Sequence, residues 1–365
     1  MALSERVRSL MRPSVAELSP YDPGFTPAEV LLSANENSFG LPEGVRAGVV
    51  EALAGVALNR YPDPMSNELR DAIAAWHGTS RQNVCVGNGG DELIFNLFLA
   101  FGGPGAKIVD CPPTFSVYRI YAQMVDTTVV DVPRDAQTFE LDVDGVCREA
   151  TDARVTIVTS PNNPTGNVAS HDDVCRICEA AGGLVLLDEA YAEFTQEGAS
   201  CEDLLAEYDN LVILHTLSKA FASAGARIGY VLAAPDVVDA LGAVRQPYSV
   251  NVLSQAEAQV CVARRADFVP VIQQIAGERE RLAKGIARAC GDAVTVWPSQ
   301  ANYLLVRVPD GHGTWQRLRD EHSILVRDFS STPGLADCLR ITVGTSDEND
   351  RVVQALATLV RRDAS

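Results

Sequence analysis

The chain has 365 residues, of which 47% are hydrophobic and 21% charged, and it carries a formal net charge of −18. That length exceeds the usual range of one domain and predicts a large domain with a smaller companion. The acidity excludes nucleic acid as an expected partner, since such binding needs a basic face, and it means that an anionic substrate must be drawn in by local arginines.

Residues 1–45 are rich in turn formers (Pro13, Pro20, Pro23, Gly24, Pro27, Gly40, Pro42) and read as an arm that forms part of the smaller domain. Helices are predicted over 45–58 and 67–77, with Ser66 and Glu68 suited to a helix start. A strand over 83–87 runs into Asn88-Gly-Gly-Asp-Glu92 and an apolar helix over 93–101. A strand at 107–111 precedes Pro112-Pro-Thr-Phe115 and a helix ending near Met124. Short β-rich runs follow at 127–132, 154–159, 184–187, 211–216 and 228–232, most of them separated by helical stretches. This alternation predicts an α/β fold with a mostly parallel sheet between helices. Past Pro235 the pattern becomes helical from 237 to about 289, interrupted near Pro247. Strands are predicted at 294–297, 301–308, 324–327 and 339–343, with helices at 314–321 and 348–361. The expected division is 1–45 arm and part of the small domain, 46–285 large domain, and 286–365 small domain.

Nine scattered cysteines, mostly inside apolar runs, suit buried thiols in a reducing compartment. Cys175 and Cys178 form a C-x-x-C on a helical stretch, but no second Cys/His pair completes a tetrahedral metal site, so no metal is expected. The first residues lack a signal-peptide core and no apolar run approaches ~20 residues, so the expected location is the cytoplasm, with no membrane partner.

Polar residues gather at the ends of the apolar runs, where parallel sheets bind ligands. Only three residues of the chain are lysine, and Lys219 follows the run Leu211–Thr216 between Ser218 and Ala220. An amine at a buried strand end is readily deprotonated and can attack a carbonyl. Leu184-Val-Leu-Leu-Asp188-Glu-Ala-Tyr191 ends a second run with a carboxylate that needs a buried partner, and a protonated pyridine nitrogen suits it. Ser160-Pro-Asn-Asn163-Pro-Thr-Gly166 ends a third with an amide and a turn. Asn163 and Tyr191 offer hydrogen bonds to a ring oxygen. Thr216, Ser218 and Arg227 form a phosphate cup, and Gly89-Gly90-Asp91 opens a helix whose N-terminus favours an anion. Phe115 offers a ring face. Together these are the parts that hold pyridoxal 5′-phosphate (PLP).

In order and spacing, S-P-N-N-P-T-G, D-E-A-Y and T-L-S-K-A-F resemble the fold-type I PLP aminotransferases. The segments Asn35-Glu-Asn37, Arg60-Tyr-Pro62, Ile324-Leu-Val-Arg-Asp328 and Leu339-Arg-Ile-Thr-Val-Gly344 extend the resemblance to the histidinol-phosphate aminotransferases, over nearly the whole chain. The resemblance implies that Lys219 carries the covalent link to the cofactor and that Asp188 pairs with the pyridine nitrogen. Asn163 and Tyr191 contact the ring oxygen, while Gly90, Asp91, Thr216, Ser218 and Arg227 hold the phosphate. Tyr61 reaches the cofactor phosphate of a neighbouring subunit, which implies a homodimer with shared sites. Arg340 grips the carboxylate of glutamate, and Asn35, Tyr21 and Arg327 belong to the substrate site, the last two matching positions associated with histidinol phosphate. The implied reaction is transamination of histidinol phosphate with 2-oxoglutarate, a step of histidine biosynthesis. One departure is Phe115, where these enzymes usually carry a stacked Tyr and aromatic aminotransferases carry Phe. An aromatic amino-acid aminotransferase is therefore the alternative, followed by a PLP-dependent threonine-phosphate decarboxylase. A PLP-fold transcription regulator would need an added DNA-binding domain, for which residues 1–45 are too short.

Overall fold

The computed structural model describes residues 4–18, 24, 26–195 and 199–363. Its strands are β1 (Val30–Leu32), β2 (Val84–Asn88), β3 (Lys107–Asp110), β4 (Thr128–Asp131), β5 (Val155–Thr159) and β6 (Leu184–Asp188). They continue with β7 (Leu211–Thr216), β8 (Ile228–Ala233), β9 (Thr295–Val296), β10 (Tyr303–Arg307), β11 (Ile324–Asp328) and β12 (Cys338–Thr342).

Seven strands form the large sheet in the order β2-β8-β7-β6-β5-β3-β4. Pairing is parallel from β7 through β6, β5 and β3 to β4, and β8 is antiparallel to both of its neighbours. β2 therefore runs in the common direction, and β8 alone is reversed. Every residue of β5, β7 and β8 is buried. Burial on both faces explains why these strands read as continuous runs of Val, Ile and Leu, without the alternation of a half-exposed strand. The second sheet has the order β1-β11-β12-β10-β9.

The arm contributes a strand that its turn-rich composition does not announce: β1 pairs parallel with β11, with Val30 opposite Ile324. The helical stretch after residue 235 has a second interruption beyond the one near Pro247. Helix Val252–Ala263 is separated from helix Val269–Cys290 by a 3-10 turn, Arg265–Phe268. Pro270 then lies in the first turn of the new helix, where its missing N–H costs nothing. That helix runs without a break through position 285. Ser66 precedes helix Asn67–Trp76 but has left-handed backbone angles and makes no capping bond. Asp63 takes over, accepting from the backbone N–H groups of Met65 at 2.8 Å and Asn67 at 2.7 Å. Among the described residues, no helix is long and apolar enough to cross a membrane.

Candidate active site

Because β5, β6 and β7 are parallel and in register, their carboxyl ends present Thr159, Asp188 and Thr216 along one edge of the sheet. A cleft of about 420 Å³ opens over that edge. Its lining brings together Lys219, Asp188, Tyr191, Asn163, Phe115 and Asn35. It also includes Gly90, Asp91, Thr216, Ser218, Arg227, Arg327 and Arg340. Tyr61 is not in this lining. It is 81% exposed and stacks on Tyr248 with ring centroids 4.5 Å apart. Tyr21 lies outside the described residues.

Lys219 sits in the turn after β7, and its Nζ donates to the carbonyl oxygen of Ala34 at 2.9 Å. Burial, helped by the positive charge of Arg340, pushes its amine down to about 8. A lysine so placed is still mostly ammonium at pH 7, but it gives up its proton more readily than an ordinary lysine, which is the direction a carbonyl nucleophile needs.

Asp188 is 5% exposed, and burial raises its carboxyl above the ordinary range. Its Oδ1 accepts from the N–H of Ala190 at 3.0 Å, and its Oδ2 accepts from the Tyr118 hydroxyl at 2.5 Å. Tyr191, pushed up to about 12 by burial, accepts a hydrogen bond from Asn35 Nδ2 at 2.9 Å. Asn35 is fixed in turn: its N–H donates to Thr342 Oγ1 at 3.0 Å and its carbonyl accepts from Asn302 Nδ2 at 3.0 Å.

At the other end of the cleft, helix Gly90–Phe101 begins directly after β2 and aims its first N–H groups at the same space. Close packing requires glycine here. A Cβ on Gly229 of β8 would lie 2.5 Å from Gly90 N, and Gly89 adopts φ 84°, a backbone conformation that residues with a side chain rarely take. Arg227 itself adopts φ 57°, an uncommon conformation for a bulky residue that the surroundings must hold, and donates to Asp91 Oδ2 at 2.9 Å. Thr216 Oγ1 accepts from the N–H of Ser218 at 3.1 Å, which closes the cup after β7.

The second sheet delivers the remaining cations. Arg327 of β11 and Arg340 of β12 are directly opposite in the antiparallel register, and both line the cleft. Arg340 donates to Asn163 Oδ1 at 2.5 Å and to the carbonyl of Ser33 at 2.5 Å, and it lies over the rings of Tyr303 and Phe329. Like charges facing each other across a strand pair are unfavourable by themselves, and an anion between them reverses the balance.

Some residues at the site carried no signal in the sequence. Tyr118 lies on helix Val117–Met124 and reads as one more apolar position, and Glu36, Phe329 and Thr114 are among the further lining residues. Asn162, beside Asn163, secures the turn: its Nδ2 donates to Pro113 O at 2.9 Å and Thr165 Oγ1 at 2.8 Å.

The donor set fits PLP. A buried carboxylate faces a cleft that also holds a depressed lysine, and a glycine-lined helix start with Arg227 and two hydroxyls meets the needs of a phosphate.

The family model for aminotransferase class I and II matches residues 27–356. The histidinol-phosphate aminotransferase of Thermoanaerobacter pseudethanolicus is 35% identical over 97% of this chain and 99% of its own length. That of Thermococcus gammatolerans is 40% identical over 90% of this chain and 91% of its own. Among solved structures, the Sinorhizobium meliloti histidinol-phosphate aminotransferase in complex with pyridoxal-5′-phosphate superposes with a TM-score of 0.88. It shares 26% identity over 97% of this chain and 98% of that one. The chain belongs to the class I and II aminotransferase family.

Proposed function

We propose that this enzyme is a PLP-dependent aminotransferase exchanging the amino group of histidinol phosphate with 2-oxoglutarate, in histidine biosynthesis. The observation that carries the substrate assignment is the facing pair Arg327 and Arg340, set within one cleft with Lys219. Planar guanidinium groups suit both a phosphate and a carboxylate, so the pair serves the phosphorylated donor in one half-reaction and the dicarboxylic acceptor in the other.

The cofactor, when bound, acts as an electron sink that stabilises a carbanion at the substrate α-carbon. In this reading Asp188 keeps the proton on the ring nitrogen, and Asn163 and Tyr191 hold the ring oxygen. Phe115 covers one ring face. Gly90, Asp91, Thr216, Ser218 and Arg227 bind the phosphate. Lys219 would hold the cofactor at rest, and during turnover its Nζ would take the proton from the substrate α-carbon and later give a proton back, as base and then acid. Asn35 orients Tyr191, while Arg340, Arg327 and Tyr21 bind substrate. Tyr61 reaches the cofactor phosphate of the neighbouring subunit in a homodimer. The proposed location is the cytoplasm, and the proposed division into a large domain of 46–285 and a small domain of 286–365 with the arm stands with it.

A second reading, an aromatic amino-acid aminotransferase, draws on the phenylalanine at position 115 of the cleft. Arg327→Ala separates the two. Steady-state rates with histidinol phosphate should fall at least about 100-fold in kcat/KM, as expected when about 3 kcal/mol of charged contact is lost. Rates with phenylalanine should change little. Equal losses on both donors would favour the aromatic reading, and release of CO₂ from threonine phosphate would point to decarboxylation.

A further inference from the structure

Beside the cleft lies a group of buried and partly buried ionisable side chains that transamination does not use. Glu189 follows Asp188, His215 precedes Thr216, and Glu202 opens the 3-10 helix Glu202–Ala206. One donor atom from each of the three lies within 4.8 Å of the others. We propose that Glu189, Glu202 and His215 form a binding site for a first-row divalent cation of the zinc type.

Three observations carry it. The first is spacing. His215 Nε2 is 3.2 Å from Glu202 Oε1 and 3.8 Å from Glu189 Oε2. A tetrahedral zinc with bonds of about 2.0–2.1 Å sets its donors about 3.3 Å apart, so the two His215 separations already suit an ion and the two carboxylates, within 4.8 Å of each other, need close by no more than about 1.5 Å.

The second is a poorly satisfied group. His215 is 3% exposed, its Nδ1 makes no hydrogen bond, and its Nε2 has close carboxylate contacts but no well-aligned bond to either. A buried imidazolium serving as a simple ion-pair partner would aim an N–H at one oxygen. Here Nε2 has an oxygen of each of two carboxylates within 3.8 Å, an arrangement that a cation shared by all three would satisfy. Charge points the same way. One buried and one partly buried carboxylate against one imidazolium leave a surplus negative charge, whereas a divalent cation with neutral imidazole balances these three groups.

The third is the surrounding shell. Glu189 Oε1 accepts from the N–H of Cys201 at 2.9 Å, and its Oε2 accepts from Ser200 Oγ at 2.7 Å. Glu202 Oε2 is 2.6 Å from His77 Nδ1, and His77 Nε2 is 2.9 Å from the Tyr230 hydroxyl. Outer partners of this kind orient ligating carboxylates. Glu202 is one-third exposed, which provides an entry path and room for water as a fourth ligand. The ion would tie the turn beginning at Ser200 to β6 and β7, the strands that carry Asp188 and lead to Lys219.

The test uses tag-free holoenzyme, dialysed against metal-free buffer and then loaded with Zn(II) or Co(II). One ion should bind per chain, and Co(II) should give the intense visible bands of a four-coordinate site, resolved as a difference from the metal-free holoenzyme. Glu202→Gln, which preserves size, and His215→Gln should each weaken binding by about 100-fold or more. The cofactor's own absorption and the melting curve report whether each variant is folded. PLP chelates metals, so binding that persists in both variants with cofactor loaded would place the ion at the cofactor and overturn the proposal. Stoichiometry well below one ion per wild-type chain would equally overturn it and leave a buried ion-pair network.

Discussion

The Tyr118 hydroxyl donates to Asp188 Oδ2 at 2.5 Å, with the two side chains 0% and 5% exposed. The same hydroxyl is 2.9 Å from Thr159 Oγ1, at the end of the neighbouring strand. A short O–H···O contact to a carboxylate is strong. It offsets part of the burial that pushes Asp188 toward its neutral form, and only the ionised form can pair with a pyridinium. Tyr118→Phe keeps the packing and removes the donor. A hydrogen bond to a charged group is worth about 1.5–3 kcal/mol, so PLP affinity of the cofactor-free protein should weaken by about 10- to 100-fold. Fluorescence titration measures it, and a dissociation constant within about twofold of wild type would show that Asp188 needs no such support.

This contact also marks the limit of what the sequence discloses. β7 spans Leu211–Thr216, the run read from its apolar residues, and Asp188 closes β6 as that run implied. Such strands are legible because burial on both faces imposes unbroken hydrophobicity, and a charge at the end then stands out. Tyr118 has no such contrast, since an aromatic on an amphipathic helix reads as core. β1 was hidden for another reason. It has three residues and pairs with a strand almost three hundred positions later, so its stability is wholly tertiary. The cluster of His77, Glu189, Glu202 and His215 comes from four separate segments, and no spacing along the chain could assemble it.

Lys219 gives a pH prediction. Burial, assisted by Arg340, lowers its amine to about 8, so the ammonium form prevails below that value and the neutral nucleophile above it. The rate at which cofactor-free protein captures PLP should rise about tenfold per pH unit below 8 and level off above it. Stopped-flow absorbance between about pH 6 and 10 reads this directly. A rate still climbing at full slope beyond pH 9 would mean an unperturbed lysine. Arg340→Met should move the plateau to higher pH, because removing the nearby cation favours the protonated amine.

The floor of the anion site depends on a contact between backbones. A Cβ at Gly229 would lie 2.5 Å from Gly90 N and 2.7 Å from Gly89 C, and neither atom can swing aside as a side chain could. Gly229→Ala should therefore cost about 1–3 kcal/mol of stability and displace the N–H groups at the helix start. A lower melting temperature together with at least tenfold weaker PLP binding is expected. Gly242→Ala is the control: nothing lies within 4 Å of the added atom, and in helix Pro235–Val244 alanine should be neutral or slightly stabilising. Equal behaviour of the two variants would refute the packing argument.

Tyr61 is the one described residue proposed for the cofactor site that lies outside the cleft of its own chain, since it is 81% exposed and rests on Tyr248. If it completes the phosphate site of a second subunit, two crippled chains should rescue each other. Lys219→Ala should lack both turnover and the cofactor's visible absorption band, and Tyr61→Ala should bind PLP weakly. A mixed dimer, refolded or co-expressed from the two, contains one site that takes Lys219 from one chain and Tyr61 from the other, which is an intact pair. Its activity at limiting PLP should exceed that of either parent, and size-exclusion chromatography should show a dimer. Mixing without any gain would place Tyr61 in service of its own chain or of none. A monomer at working concentration would remove the shared site altogether.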